Sequence, residues 1–232
     1  MFGKIFQLAG DQPCQYFKEA RMKQFFVKSS IMVLCMAALF LSGCVSGTKV
    51  PMAQQKYSPS FSSGEFSRYK GKSLVLANFA NQAQNTKTYS YSSPDKKYVY
   101  EGDASLDSYY HSCYQKAFRH IGVKLVDYVY REDYARTSYR HHYWWGDGRG
   151  YYGPPKGVSE FQLTLLSLTD EEFKFKVVLY KEGEVKFDKD YTVTMAAAPE
   201  TDNTATLEKR AYQLVDLSFT RIMKDKDFQK AF

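Results

Sequence analysis

Three runs in the C-terminal half of the chain, Glu160–Leu168, Phe173–Tyr180 and Val185–Met195, are strand-like in length and pattern. Their connections, Thr169-Asp170-Glu171 and Lys181-Glu182-Gly183-Glu184, are too short for a crossover, so the three runs must be antiparallel neighbours in a meander. Along the middle run Phe173, Phe175, Val177 and Leu179 share one face, and Lys174 and Lys176 take the other. A sheet with one apolar face needs a cover. The amphipathic segment from about Thr204 to Lys224 can supply it, with Leu207, Ala211, Leu214, Val215, Leu217 and Ile222 as its apolar stripe.

The elements before the meander read as strand, hairpin, helix and strand. Ser73–Phe79 is a dense apolar run of strand length, suited to the interior of a sheet. Residues 86–101 alternate Thr, Tyr and Val around Ser93-Pro94-Asp95, as a hairpin would. Asp103 or Ser105 can cap a helix carrying Leu106, Tyr109, Tyr110, Cys113, Ala117 and Ile121 at helical spacing, and Gly122 stands where a left-handed terminating residue is wanted. Val123–Tyr130 then alternates like a strand. The expected fold is α+β: a mixed, largely antiparallel sheet with two helices packed on it.

The N-terminal part follows other rules. An uninterrupted apolar run, Ile31–Leu41, comes after Arg21, Lys23 and Lys28 and ends in Leu41-Ser42-Gly43-Cys44. A basic segment, a short apolar segment and a small-residue processing site make a secretory signal. The run is too short to span a bilayer, which takes about 20 apolar residues. Met22 to Gly43 forms a complete signal, so residues 1–21 read as an over-extended start. Residues 44–68, rich in Ser, Gln, Gly and Pro, read as a flexible tether. A single domain is expected over 69–232. Five of the 32 Lys and Arg and two of the 25 Asp and Glu precede Cys44, so the remainder carries a net charge of +4 rather than the +7 of the whole chain. That balance does not license a nucleic-acid partner. With Cys14 and Cys35 in the removed segment and Cys44 consumed at the processing site, no intramolecular disulfide is expected, and Cys113 reads as a buried packing thiol.

The Leu-Ser-Gly-Cys stretch resembles the lipobox of bacterial lipoproteins. The resemblance implies that Cys44 receives a diacylglycerol and an N-acyl chain and becomes the first mature residue. No other cofactor is implied. Val45, standing where an Asp would mark inner-membrane retention, favours the outer membrane on the periplasmic side. The stretches "SLVLANF", "FRHIGVKLVD", "EFQLTLLSL" and "FKVVLYKEGEVKFDKDYTV" are similar to a group of periplasm-facing domains. That group contains the penicillin-binding-protein activator lipoproteins, the curli-secretion lipoprotein and the N-terminal domain of TolB. The similarity covers roughly residues 70–195, with Gly183 matching the group's hairpin glycine. It implies a non-catalytic recruitment or accessory role in an envelope assembly.

The departure from that pattern is the loop 131–157. It interleaves Tyr134, Tyr139, Tyr143, Trp144, Trp145, Tyr151 and Tyr152 with Arg136, Arg140, His141, His142 and Arg149. Tyr139, Arg140, Tyr143, Trp144, Trp145, Arg149, Tyr151 and Tyr152 are the candidate contacts, because aromatic and Arg side chains dominate interface hot spots. An envelope protein is the first candidate partner and peptidoglycan the second, since aromatic faces also suit sugar rings; a packed covering loop is the plainer alternative. Export argues against nucleic acid. Gly148–Gly153 spells G-x-G-x-x-G, but Pro154-Pro155 cannot open the helix a dinucleotide site needs. Adjacent His141 and His142 would point apart in an extended chain, His111 and His120 fall on different helix sides, and Glu171-Glu172 reads as solvated. No metal site is expected. Without a nucleophile elbow, zinc signature or P-loop, an enzyme is not expected, a hydrolase assembled from distant residues being the remaining alternative.

Overall fold

The computed structural model describes residues 48–84, 88–92, 97–131, 151–196 and 203–232, all within the compact unit Gly47–Phe232. It is an α+β fold. The main sheet has the strand order β11-β10-β9-β2-β6, formed by β2 (Ser73–Leu76), β6 (Lys124–Leu125), β9 (Ser159–Leu168), β10 (Glu172–Lys181) and β11 (Glu184–Thr194). The meander β9-β10-β11 is antiparallel, whereas β2 runs parallel to both β9 and β6. The short β3 (Ala80–Asn81) continues the parallel pairing along β9. The β10–β11 turn is made by Glu182 (φ +51°) and Gly183 (φ +77°). Two successive residues with positive φ match the right-handed twist of the strands they join.

Two helices cover the apolar face of this sheet. Helix α1 (Leu106–His120) begins at Ser105, whose hydroxyl bonds that of Ser108 at 3.0 Å, and ends at Gly122 with φ +82°. There the N–H of Val123 reaches back to the carbonyl of Phe118 at 3.0 Å, satisfying a carbonyl the helix end would otherwise leave open. Helix α2 (Thr204–Met223) is capped by Asn203, whose side chain accepts from the N–H of Ala205. A short α3 (Lys226–Ala231) follows, capped in the same way by Asp225. Phe173, Phe175, Val177 and Leu179 are fully buried under these helices, as their alternation requires. Aromatic rings fill the layer between: Phe118 lies 5.3 Å from Phe161 and 5.0 Å from Phe219, and Tyr110 4.6 Å from Phe173. Each such side chain taken out of water contributes roughly 1.5–3 kcal/mol. Cys113 sits among them, fully buried, and burial pushes its thiol up to about 12.

A second sheet has the order β1-β5-β4, with β1 (Thr48–Met52) parallel to β5 (Lys97–Gly102) and β4 (Thr88–Ser92) antiparallel to it. The expected hairpin is therefore present, but β1 corrects the expectation of a flexible tether over 44–68. From residue 48 onward that segment belongs to the domain. Val50, Met52, Tyr57 and Phe66 are buried, and Ser63–Tyr69 forms a 3-10 helix. Its apolar residues lack periodicity because the segment is in turn a strand, a loop and a 3-10 helix, so no one spacing serves it. Side-chain anchors hold the loop down. Lys116 donates to the carbonyls of Gln54, Gln55 and Tyr57, Tyr212 donates to that of Ala53, and Asp216 accepts from both Tyr57 and Ser60.

Two smaller expectations change. The strand foreseen over Val123–Tyr130 is divided into β6 and β7 (Val129–Arg131), because only Lys124 and Leu125 pair with β2 before the chain leaves the sheet. Leu217 lies outside the buried stripe of α2 and is 43% exposed. At 100° per residue it stands about 200° around the helix from buried Val215.

Candidate functional site

Where the chain leaves the main sheet it builds a two-stranded ribbon from β7 and β8 (Tyr151–Gly153), with Tyr130 opposite Tyr152. Arg131 fixes its base. One guanidinium nitrogen donates to the carbonyl of Pro154 at 3.0 Å and another to the Glu182 carboxylate at 2.9 Å. The other oxygen of Glu182 accepts the N–H of Gly157. The left-handed turn that closes β10–β11 thus also locks the ribbon to the end of the sheet. The Arg131 side chain is only 10% exposed, so its ion pair is better shielded than a surface pair.

Above that base the ribbon presents apolar surface. Tyr152 is 73% exposed and Tyr130 50%, and Tyr128 and Val129 are exposed beside them. The two tyrosine rings meet edge to face at 6.2 Å and 78°. Exposed aromatic rings of this kind suit a planar apolar partner, a sugar ring or a cation.

Of the residues expected to make contacts, Tyr152 is therefore at the surface and Tyr151 opens β8. Tyr139, Arg140, Tyr143, Trp144, Trp145 and Arg149 lie outside the described residues, as do Cys44, His141 and His142. Residues 132–150 link the ribbon's two strands in sequence. Sequence reasoning passed over Tyr128, Val129 and Tyr130, which it assigned to a sheet strand. No local signal sets them apart, because the run alternates as a buried strand would; their exposure follows from β6 ending at Leu125.

Other groups that could carry chemistry are occupied structurally. His111 packs edge-on to Phe79 at 5.2 Å, and burial holds its pKa below the usual imidazole value. Nε2 of His120 lies 3.0 Å from the Phe61 carbonyl. Among the described residues no three His, Cys, Asp or Glu side chains converge as metal ligands would, and no helix is long and apolar enough to cross a membrane. An open cleft of about 250 Å³ lies between the 3-10 helix and the end of α1, lined by Ser63, Ser67, Lys70 and His120. Glu171 is exposed in its turn, and Glu172 pairs with Lys174 at the start of β10.

No protein-family profile matches the chain, and no curated protein matches it. Among solved structures, a Xanthomonas campestris protein of family DUF330 superposes with a TM-score of 0.45 and 9% sequence identity, over 78% of this chain and 96% of that one. A second, the crystal structure of an uncharacterized protein, gives a TM-score of 0.43 and 9% identity over 77% and 98%.

Proposed function

We propose that this protein is a lipid-anchored component of the bacterial cell envelope, on the periplasmic face of the outer membrane, acting as a non-catalytic binding and recruitment module. The address rests on the Leu41-Ser42-Gly43-Cys44 stretch after its basic and apolar segments. The binding role rests on one observation above all, the exposed Tyr130–Tyr152 pair on a ribbon braced by half-buried Arg131. Large aromatic side chains left in water on a rigid stem contribute little to the fold and much to a contact. Anchoring confines the ribbon near the membrane and so raises its effective concentration toward other envelope proteins.

Incorporation of labelled palmitate into wild type and into Cys44→Ala tests the address. Label retained by the variant would remove it. Crosslinking in intact envelopes tests the role: Tyr130→Ala/Tyr152→Ala is expected to lose partners that wild type captures. The exposed tyrosine faces also suit sugar rings, giving peptidoglycan as a second reading. Unchanged protein partners with lost sedimentation on purified peptidoglycan would favour it over the first.

A further inference from the structure

The expected 25-residue tether would have let the domain range roughly 25–30 Å from its anchor as a flexible coil. The structure removes that freedom. Strand β1 begins at Thr48, so only Val45, Ser46 and Gly47 separate it from Cys44. Even fully extended, those four peptide steps reach about 14 Å. The strand cannot readily peel away to lengthen the leash. It is paired with β5 over five residues, Val50 and Met52 are buried, and the loop behind it is held by Lys116, Tyr212 and Asp216.

The leash enters through β1. The residues directly after β1 pack on the N-terminal half of α2, where Tyr212 bonds Ala53 and Lys56 pairs with Glu208. The same half of α2 meets the β9–β10 turn and the end of β11 through Arg210, which donates to the carbonyl of Ala196 at 2.8 Å. From that turn β10 runs ten residues to Lys181, about 30 Å at strand rise. At its far end stand Glu182, Arg131 and the aromatic ribbon.

Resting on the lipid-anchor reading, we infer that the domain stands directly on the bilayer: the β1 end of the β1-β5-β4 sheet abuts the lipid headgroups and the Tyr130–Tyr152 ribbon is presented at the opposite pole. The occupant of the β1 pole is the membrane surface itself. The ribbon is thereby held off the anchoring leaflet by about the length of β10 and faces the periplasm. Lys49 and Thr48 are exposed at the membrane pole, and Glu184, beside the ribbon, at the distal one.

The test uses the lipidated full chain in phosphatidylethanolamine–phosphatidylglycerol vesicles carrying a headgroup-attached spin-label quencher. A fluorophore is placed at Lys49→Cys or at Glu184→Cys; buried Cys113 stays unlabelled, and Glu184 leaves the ribbon aromatics intact. Quenching is expected to be at least three-fold stronger at position 49 than at 184. A twelve-residue Gly-Ser insertion after Gly47 is expected to abolish that difference. Equal quenching at the two positions, stronger quenching at 184, or a difference that survives the insertion would overturn the inference. Palmitate on Cys44 is measured in the same samples. Label present without the quenching difference refutes the orientation alone, and label absent refutes the anchor reading and the orientation with it.

Discussion

Tyr57 donates its hydroxyl to Asp216 at 2.6 Å, joining residues 159 apart in sequence. The other carboxylate oxygen accepts from the hydroxyl of Ser60 at 2.6 Å and from its N–H at 3.1 Å. Asp216 is buried on α2, and burial together with this hydrogen bond pushes the Tyr57 hydroxyl well above the usual phenol range. A stretch outside any helix or strand is thereby tied to α2 through three hydrogen bonds to one buried carboxylate.

Asp216→Ala should destabilise the domain by about 2–3 kcal/mol, because it leaves the buried Tyr57 hydroxyl and the groups of Ser60 unsatisfied. Tyr57→Phe removes one bond and should cost about 1 kcal/mol. Urea denaturation measures both. Limited proteolysis adds a local readout: Asp216→Ala should be cut between residues 53 and 62 under conditions where wild type is intact. Equal protection would mean that β1 and the 3-10 helix hold the segment without the clamp.

The meander was legible in the sequence because its partners are near neighbours: Phe173, Phe175, Val177 and Leu179 carry their period locally, and Gly183 marks the turn. Gly122 was legible for the same reason, since a glycine just past a helical run is the common way to supply the positive φ that ends this helix. Residues 48–68 were not. Their order comes from Lys116, Tyr212 and Asp216, and nothing in Ser-, Gln- and Pro-rich text announces partners that far away. Of the candidate contact surface, composition pointed to Tyr152, but its cross-strand partner Tyr130 was hidden in a run that alternates like a core strand. Register with β8, a tertiary property, decided that side chain's surroundings.

Acid should weaken the joint between the sheet and α3. Burial pushes the Asp225 carboxyl up, but Lys189, the N–H groups of Asp227 and Phe228, and the Tyr191 hydroxyl together outweigh it and hold the group at about 2. A carboxyl lowered on folding stabilises the protein above its unfolded pKa near 4, and that contribution disappears as pH falls toward 2. Allowing for solvent screening, Asp225→Asn should cost about 1 kcal/mol at pH 7 and almost nothing at pH 2. Thermal melts of both proteins across this range check the slope.

Asp170 should behave in the opposite sense. Burial raises its carboxyl to about 6, with Glu171 adding to the shift and Arg210 only partly offsetting it. Its Oδ2 and the Nε of Arg210 are both buried without hydrogen-bond partners. Since folding favours the protonated form, the charged form becomes a cost as pH rises from about 4 through 6. Asp170→Asn should therefore stabilise the domain by about 1 kcal/mol at pH 7.5 after screening, and leave it unchanged near pH 4. A stability difference independent of pH would place the strain at this corner in packing rather than in charge.

The ribbon should separate stability from binding. Tyr152 is mostly in water, and its edge-to-face contact with Tyr130 is worth about 0.5–1.5 kcal/mol at most. Tyr152→Ala should accordingly shift the unfolding midpoint little while lowering partner crosslinking at least five-fold. Arg131→Ala should do the reverse first, because it removes a donor from the Pro154 carbonyl and from one oxygen of the Glu182 carboxylate, and so loosens the base of the ribbon. Its cost should be about 2 kcal/mol, with binding lost through disorder of the stem. Glu182→Gln keeps one acceptor oxygen, for Arg131 or for Gly157 but not for both, and should retain more of the binding than Arg131→Ala does. Wild-type crosslinking by Tyr152→Ala would show that the exposed tyrosines are not the contact.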